Sequence, residues 1–475
     1  MKGARTARHR REGERRLSVQ VAAVGIAIAA LASGLAFLPA VLGADDPRLN
    51  VIVIVADDQS ADSIPRFPAV MPFLQQRVLD PEDHWVLFPH GYVNTPLCCP
   101  SRATMLSGRQ AHHSGVQDNA DGHLFDESAT LATWLGAAGY HTGLVGKYLN
   151  LYPFDRGPYV PQGWDRWWGK QQGTADSLYH GFTLIEQGMP VPYGSEAADY
   201  STDVFAAKAL EFLREAPADQ PFFLWFAPTA PHPPWVPAER HEGDYDDLVV
   251  PMTPAVVESD VSDKPAWVQG LREVDAERLA KFQASRRSSY ETLLSLDEAI
   301  RSILQELQAS GELDETVIVY VSDNGLAFGE HRWDRKLCEY EPCLRIPFLI
   351  RMPGVTHRVE NAIVSAVDLA PTIAELGGVE PTIAFDGVSL VSLVRAQEGA
   401  GSHRVLFAEW VGDDRVPGWW EVRTSRFAYV ELATGERELY ALRRDPYELV
   451  NVVEDPGFAD DVERLAALLA TYRAA

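Results

Sequence analysis

The residues best suited to chemistry cluster in Leu97-Cys98-Cys99-Pro100-Ser101-Arg102-Ala103-Thr104-Met105-Leu106-Ser107-Gly108-Arg109, which puts two thiols at the mouth of a helix. Pro100 suits a first helical turn, because its missing N–H is one that would be unpaired there anyway. The helix therefore turns its positive end toward position 98, where free backbone N–H groups and the dipole favour an anion. Arg102 lies one turn in, with a fork of donors that matches a tetrahedral oxyanion. A nucleophile, an anion hole and a guanidinium on one loop point to sulfate or phosphate esters.

Further candidates stand where apolar, strand-like runs end. Leu49-Asn50-Val51-Ile52-Val53-Ile54-Val55 is a continuous run that stops at Asp57-Asp58. Thr316 to Val321 stops at Ser322-Asp323-Asn324-Gly325, His141 to Gly146 at Lys147, and Pro221 to Ala227 shortly before Ala230-Pro231-His232-Pro233. A lone aspartate at a strand end is as often a cap as a ligand. Together, Asp57, Asp58, Asp323 and Asn324 offer only oxygen donors, which suits a hard divalent cation, Ca²⁺ taking more such ligands in looser geometry than Mg²⁺. A single lysine there is ordinarily solvated, and His232 among prolines reads equally as a plain loop residue. Nearby Trp235 suits stacking on a sugar or aryl ring, and suits packing equally.

The elements that must position these residues alternate. Strands are predicted over 49–55, 141–146, 221–227, 316–321 and 346–352, and helices over 128–138, 199–216, 279–310 and 368–376, with Gly311 as a stop. That alternation predicts an α/β fold, a mostly parallel sheet with helices on both faces. Ligands of such sheets collect beyond the carboxyl ends of the strands. Asp57, Asp58, Lys147, His232, Asp323 and Asn324 are all expected on that edge. After a Gly/Ala-rich linker near 397–402, short alternating runs, a turn at Thr434-Gly435 and an amphipathic helix over 458–472 predict a small antiparallel sheet. The expected organisation is an export signal or membrane anchor over 1–44, a catalytic domain over 47–396 and a small C-terminal domain over 403–475.

The 475-residue chain is long enough for a large core, and its 46% apolar and 23% charged residues are those of a globular protein. Residues 1–16 carry seven Lys/Arg against two Glu, so the net charge of −25 becomes −30 for the remainder. That acidity argues against nucleic acid as a partner, since phosphates would be repelled. An anionic substrate must be held by local positive charge. Leu17 to Ala44 lacks charge and follows a basic flank, so the rest of the chain is expected outside the cytoplasm, secreted or at the cell envelope. Membrane contact is expected only through that segment. Four cysteines are too few for a disulfide scaffold, although Cys338 and Cys343 are spaced closely enough to bridge.

Cys98-x-Pro100-Ser101-Arg102 with the downstream Gly108-Arg109 resembles the signature of type I sulfatases, in the alkaline phosphatase superfamily. The resemblance implies an alkaline-phosphatase-like α/β/α sandwich with a small C-terminal α+β domain, and hydrolysis of sulfate esters. In that family the first Cys is oxidised to formylglycine (3-oxoalanine), by a formylglycine-generating enzyme acting on the unfolded chain, and its hydrate is the nucleophile. It further implies a calcium site of Asp57, Asp58, Asp323, Asn324 and residue 98, with sulfate held by Arg102, Lys147 and Lys336. His232, in Ala230-Pro231-His232-Pro233, is similar to the histidine that protonates the leaving group. Glu438 to Asn451 resembles the family's C-terminal motif.

Two details refine the likeness. Asn324 resembles the sulfatase version of a site at which phosphonate and phosphodiester hydrolases often carry His, so sulfate is favoured over those rivals. Gly146-Lys147-Tyr148-Leu149-Asn150, with the doubled Cys98-Cys99, resembles the branch of N-acetylglucosamine-6-sulfatases and heparan 6-O-endosulfatases. Many sulfatases place His where this chain has Leu149, which leaves the base for the elimination step unassigned, with His112 or His113 as candidates. A sulfated glycan is the implied substrate class. Asn150, Asn119 and Trp235 are the candidate contacts, with His180, Trp333 and Arg332 behind them. A non-catalytic sulfoglycan-binding protein, its cysteine unconverted, is the rival from another class.

Overall fold

A computed structural model describes residues 48–64, 69–397, 399 and 404–474. The expected export segment lies outside them, as does most of the expected linker. In chain order the strands are β1 (Asn50–Ala56), β2 (Trp85–Leu87), β3 (Gly91–Tyr92), β4 (His141–Gly146), β5 (Arg166–Lys170), β6 (Thr183–Glu186), β7 (Met189–Pro192) and β8 (Phe222–Ala227). Then come β9 (Thr316–Ser322), β10 (Phe348–Arg351), β11 (Arg358–Val359) and β12 (Val364–Ser365). The last four are β13 (Leu406–Trp410), β14 (Trp419–Arg423), β15 (Ala428–Leu432) and β16 (Arg437–Tyr440).

Every residue of β1 is buried, as a β-branched run covered on both faces requires. It lies inside a ten-stranded sheet of order β11-β2-β10-β9-β1-β8-β4-β5-β6-β7. The five strands β9, β1, β8, β4 and β5 are parallel, so their carboxyl ends share one edge. Val51, Val53 and Val55 pack on one face with the helices Cys98–Ser107, Leu131–Ala137 and Leu369–Gly377. Ile52 and Ile54 pack on the other with the helices Ser201–Glu215 and Ala276–Ser310. The two-residue side-chain period of a strand thus divides the core into two layers.

The long helix starts at an Asp275 cap, whose side chain accepts from the Arg278 N–H, and stops at Gly311 with φ +82° as expected. The helix expected from 128 begins at 131, behind the capping box of Thr130 and Thr133. The strand expected over 346–352 is β10, antiparallel to β9. After Ser322 the chain stays at the carboxyl edge to build loops there, so the next strand starts from that edge and runs back.

The sequence reading missed the antiparallel meander β5-β6-β7 and the helix Pro72–Leu79, whose first N–H groups are held by buried Asp297. In the small antiparallel sheet β13-β14-β15-β16, one face carries the helix Ala459–Ala474 through Val422, Tyr429, Leu439, Leu465 and Leu469. The other face, with Trp410, Trp419 and Val430, is continuous with the core of the first layer. Among the described residues no helix is long and apolar enough to cross a membrane.

Candidate active site

The helix Cys98–Ser107 is buried along its whole length, and Cys98 sits in its first turn facing the ends of β1 and β9. Asn119, expected as a substrate contact, lends Oδ1 to the Cys99 N–H at 3.0 Å and so caps this helix. Cys98 Sγ lies 3.7 Å from Asp57 Oδ1, 3.9 Å from Asp58 Oδ1 and 2.9 Å from Lys336 Nζ. Burial outweighs the pull of Lys147 and Lys336 and pushes its thiol up to about 12. The encoded cysteine is therefore protonated at neutral pH and a weak nucleophile in its own right.

Three cations answer three buried carboxylates around this thiol. Lys147 Nζ donates to Asp57 Oδ2 at 2.6 Å, Lys336 Nζ to Asp58 Oδ1 at 2.6 Å, and Arg102 Nε to Asp323 Oδ2 at 2.8 Å. Burial alone would raise Asp57, but Lys147, His232 and Arg102 prevail and hold it at about 2. Asp58 is likewise lowered: burial opposes, Lys336 and His232 prevail. Asp58 has φ +66°, which turns its N–H onto Asp323 Oδ1 at 3.0 Å, while Asn324 Nδ2 donates to Asp58 Oδ1 at 2.7 Å. The ends of β1 and β9 are thus stitched by one backbone-to-side-chain bond and one between side chains.

Each cation is aimed by its surroundings. Gly146 has φ +103°, and a Cβ there would stand 2.1 Å from the Ala227 carbonyl oxygen, so only glycine lets β4 end against β8 and launch Lys147. Arg102 Nη1 donates to the Lys147 carbonyl at 3.0 Å. Trp333, a candidate specificity contact, is buried and donates from Nε1 to the Lys336 carbonyl at 2.8 Å. Cys338 and Cys343 form a disulfide just beyond Lys336. His232 Nδ1 donates to the Pro233 carbonyl, and Nε2 faces Asp58 Oδ2 at 3.5 Å.

The remaining candidates disperse. His112 bonds Glu409 and His113 bonds Asp386, each at 2.7 Å, and neither joins the cluster. Arg332 donates to the Ser259 carbonyl at 2.8 Å, and His180 packs edge-on against Tyr200. Trp235 packs on Phe328 with centroids 5.7 Å apart. Asn150 lines a cavity of about 240 Å³ beside Lys147 and His232.

The model of the sulfatase family matches residues 49–379, and that of the N-sulphoglucosamine sulphohydrolase C-terminal region matches 329–475. The chain belongs to the sulfatase family. The extracellular sulfatase SULF-1 homolog of Drosophila melanogaster is 33% identical over 374 residues, covering 75% of this chain and 32% of that protein. The N-acetylglucosamine-6-sulfatase of Homo sapiens is 29% identical over 386 residues, 78% of this chain and 68% of that one. The chain therefore spans about a third of the fly protein's length. A protein solved in complex with its substrate D-glucosamine-2-N,6-O-disulfate superposes with TM-score 0.78 at 24% identity, over 90% of this chain and 98% of that one. The phosphonate monoester hydrolase of Agrobacterium radiobacter gives TM-score 0.69 at 22% identity, over 90% and 96%. These likenesses establish the alkaline-phosphatase-like fold, and the second shows that this fold also serves phosphorus chemistry.

Sulfatases in general use a metal ion and formylglycine. Asp57, Asp58, Cys98 and His232 present ligand atoms within 4.8 Å of one another. Asp58 Oδ2 and Asn324 Oδ1 are buried and accept no hydrogen bond. Orphaned buried oxygens on hard donors are what a divalent cation would satisfy, so the residues fit the group. Lys170, in contrast, carries no family motif and went unnoticed in the sequence. The signal was there: Gly169-Lys170 closes β5 as Gly146-Lys147 closes β4.

Proposed function

We propose that this chain hydrolyses sulfate esters, with residue 98 acting as formylglycine and a 6-O-sulfated glucosamine unit of a glycan as substrate. The observation that supports it most is the ring of Lys147, Lys336 and Arg102 around a residue 98 whose own thiol stays protonated. Formylglycine supplies, as its hydrate, one hydroxyl to attack sulfur and a second whose collapse releases sulfate. Cys98 Sγ marks where that group would stand. Ca²⁺, held by Asp57, Asp58, Asp323, Asn324 and residue 98, would supply positive charge at the sulfuryl oxygens.

The protein's own groups do the rest. Lys147 and Lys336 hold the sulfuryl oxygens from two sides. Arg102 adds its charge and fixes Asp323 and the Lys147 backbone. His232, anchored through Nδ1 on the Pro233 carbonyl, delivers a proton from Nε2 to the departing alcohol. Asn150 meets the sugar in the adjoining cavity, whereas Asn119 acts through the helix it caps and Trp235 through the wall it builds with Phe328. Cys98 is wholly buried, so a formylglycine-generating enzyme must reach it before the chain folds. Residues 1–44 direct export, in keeping with a Cys338–Cys343 disulfide, which belongs to an oxidising compartment. The segment 403–475 serves as the small C-terminal domain, bracing the disulfide loop through Arg423 and Glu438.

Mass spectrometry of the peptide across Cys98 tests the reading, together with rates on an aryl sulfate and an aryl phosphodiester. Conversion of the thiol to the aldehyde and preference for the sulfate are expected. An active enzyme with an intact thiol, or a faster phosphodiester rate, overturns it.

A further inference from the structure

Lys336 is carried by a segment that the fold holds under constraint. Leu337, directly after it, has φ +81°, a conformation that a bulky residue rarely adopts and that persists only where the surroundings fix it. Two indoles do so: Trp333 Nε1 donates to the Lys336 carbonyl and Trp419 Nε1 to the Leu337 carbonyl, each at 2.8 Å. Glu339 supplies a third hold. Its Oε1 accepts from Trp267 Nε1 at 3.0 Å, and the Trp267 ring stands edge-on to Trp333 with centroids 5.4 Å apart. Glu339 is thus linked through two rings to the backbone that aims Lys336 at residue 98.

Glu339 also faces a second carboxyl group, that of Glu438 on β16, and both residues are buried. Tyr340 and Tyr440 donate to Glu438 Oε1, but Oε2 of each glutamate is buried and accepts from no N–H or hydroxyl among the described residues. The two side chains are hydrogen-bonded to each other. Carboxylates have only acceptors, so a bond between them needs a proton that one has kept. The nearest cations are engaged elsewhere: Lys264 pairs with Asp263 and Glu258, and His331 Nδ1 with Glu258. Burial, and then the charge of Glu438, raise Glu339 well above the usual carboxylate range. At Glu438 burial outweighs the two tyrosine donors, Lys264 and His331, and pushes it up to about 7. The pair therefore still holds a proton at neutral pH.

We propose that Glu339 and Glu438 share one proton across the seam between the disulfide loop and the small sheet, and that through it they are positioning residues for Lys336. While the proton is present, the segment 336–339 aims the lysine at residue 98. When it is lost, the Glu339 O–H bond breaks, the proton passes to solvent, and two buried carboxylates repel where one charge stood before, which frees the segment. This rests on the sulfate-ester reading above for what Lys336 does at the site. The active form of the enzyme is then limited on the alkaline side by a group that touches neither substrate nor metal ligand, in addition to His232.

The test compares the converted full-length enzyme with its Glu339→Gln variant, whose amide still donates to Glu438 but cannot ionise. Two quantities are followed from acid to alkaline pH: kcat on an aryl sulfate, whose phenolate leaves with little help from an acid, and the rate at which acetic anhydride acetylates Lys336, read by peptide mass spectrometry. Ratios between the two proteins cancel His232 and the lysine's own titration, which are common to both. Variant and unaltered enzyme should match at acid pH. The kcat ratio of variant to unaltered enzyme should then rise by about tenfold or more on the alkaline side, while Lys336 of the unaltered enzyme becomes the more readily acetylated by a similar factor. Ratios that stay flat overturn the proposal, even where urea midpoints of the two proteins diverge with pH, since the pair would then brace the fold without aiming Lys336. Absence of turnover by the unaltered enzyme at every pH fails the sulfatase reading alone, and acetylation decides the positioning. Should Glu339→Gln fail to fold, Glu438→Gln puts the same question from β16, and the same two ratios support or overturn the proposal.

Discussion

Two regions of this protein bury charge, and they resolve it in opposite ways. At the carboxyl edge of the large sheet, Asp57, Asp58 and Asp323 meet Lys147, Lys336 and Arg102, yet Asp58 Oδ2 and Asn324 Oδ1 remain unsatisfied. Under the small sheet, Arg423 is wholly buried and donates to Glu421, Glu341 and Glu448, each at 2.7 Å. Glu438 accepts from Tyr340 at 3.0 Å and from Tyr440. Cations outweigh burial at the first region and hold Asp57 at about 2, whereas at the second burial pushes Glu421 up to about 8 and Glu438 to about 7 even as Arg345 and Arg423 hold Glu341 below its usual range. The first leaves oxygens of the kind a divalent cation would satisfy; the second ties the small sheet to the loop behind Lys336.

The largest effect that separates them is on turnover. Cys98→Ala should remove measurable sulfatase activity while leaving the urea midpoint close to that of the unaltered protein, since it deletes the nucleophile and little packing. Near-normal turnover would break the assignment. Next, Lys147→Ala and Lys336→Ala should each lower kcat by about 10²–10³, the range for removing one charge that meets the developing oxyanion. A change confined to KM would show instead that these lysines only hold the ground state.

Arg423→Met should act on the other quantity, costing about 3–5 kcal/mol of unfolding free energy by urea denaturation, because three buried carboxylates lose their partner. The smallest effect is one of pH. Between about 4.5 and about 8 the folded protein keeps a proton on Glu421 that the unfolded chain has released, so stability falls as pH rises through that window. Glu421→Gln should flatten that part of the profile, measured as urea midpoints across it, and an unaltered slope would refute the assignment. Asp57 contributes the opposite sign: its share is present above 3.8 and is lost as pH falls toward about 2.

Much of the site was legible because its residues sit where apolar runs stop. Asp57, Asp58, Lys147, Asp323 and Asn324 each follow a strand whose end the hydrophobic pattern marks, and parallel strands bring those ends together. Cys98, Arg102 and Lys336 were legible through the family resemblance of their motifs. Lys170 was not, since Trp167-Trp168-Gly169-Lys170 lacks a motif and its meaning depends on pairing Gly169 with Gly146. Asn119 Oδ1 and Trp333 Nε1 are engaged by the Cys99 N–H and the Lys336 carbonyl, partners that only folding identifies.

By itself the sequence determined the parallel α/β scaffold and the carboxyl edge at which Asp57, Asp58, Lys147, Asp323 and Asn324 gather, because each depends on side-chain type and on local periodicity. Register and burial were decided only in three dimensions. They place Lys170 beside Lys147, bury the Cys98 side chain among Asp57, Asp58 and Lys336, tie His112 and His113 to Glu409 and Asp386, and close the Glu421–Arg423 network. The physical reason is that a charge's behaviour is set by neighbours far along the chain, and hydrophobic patterning fixes which strands form without fixing which residues face one another across them.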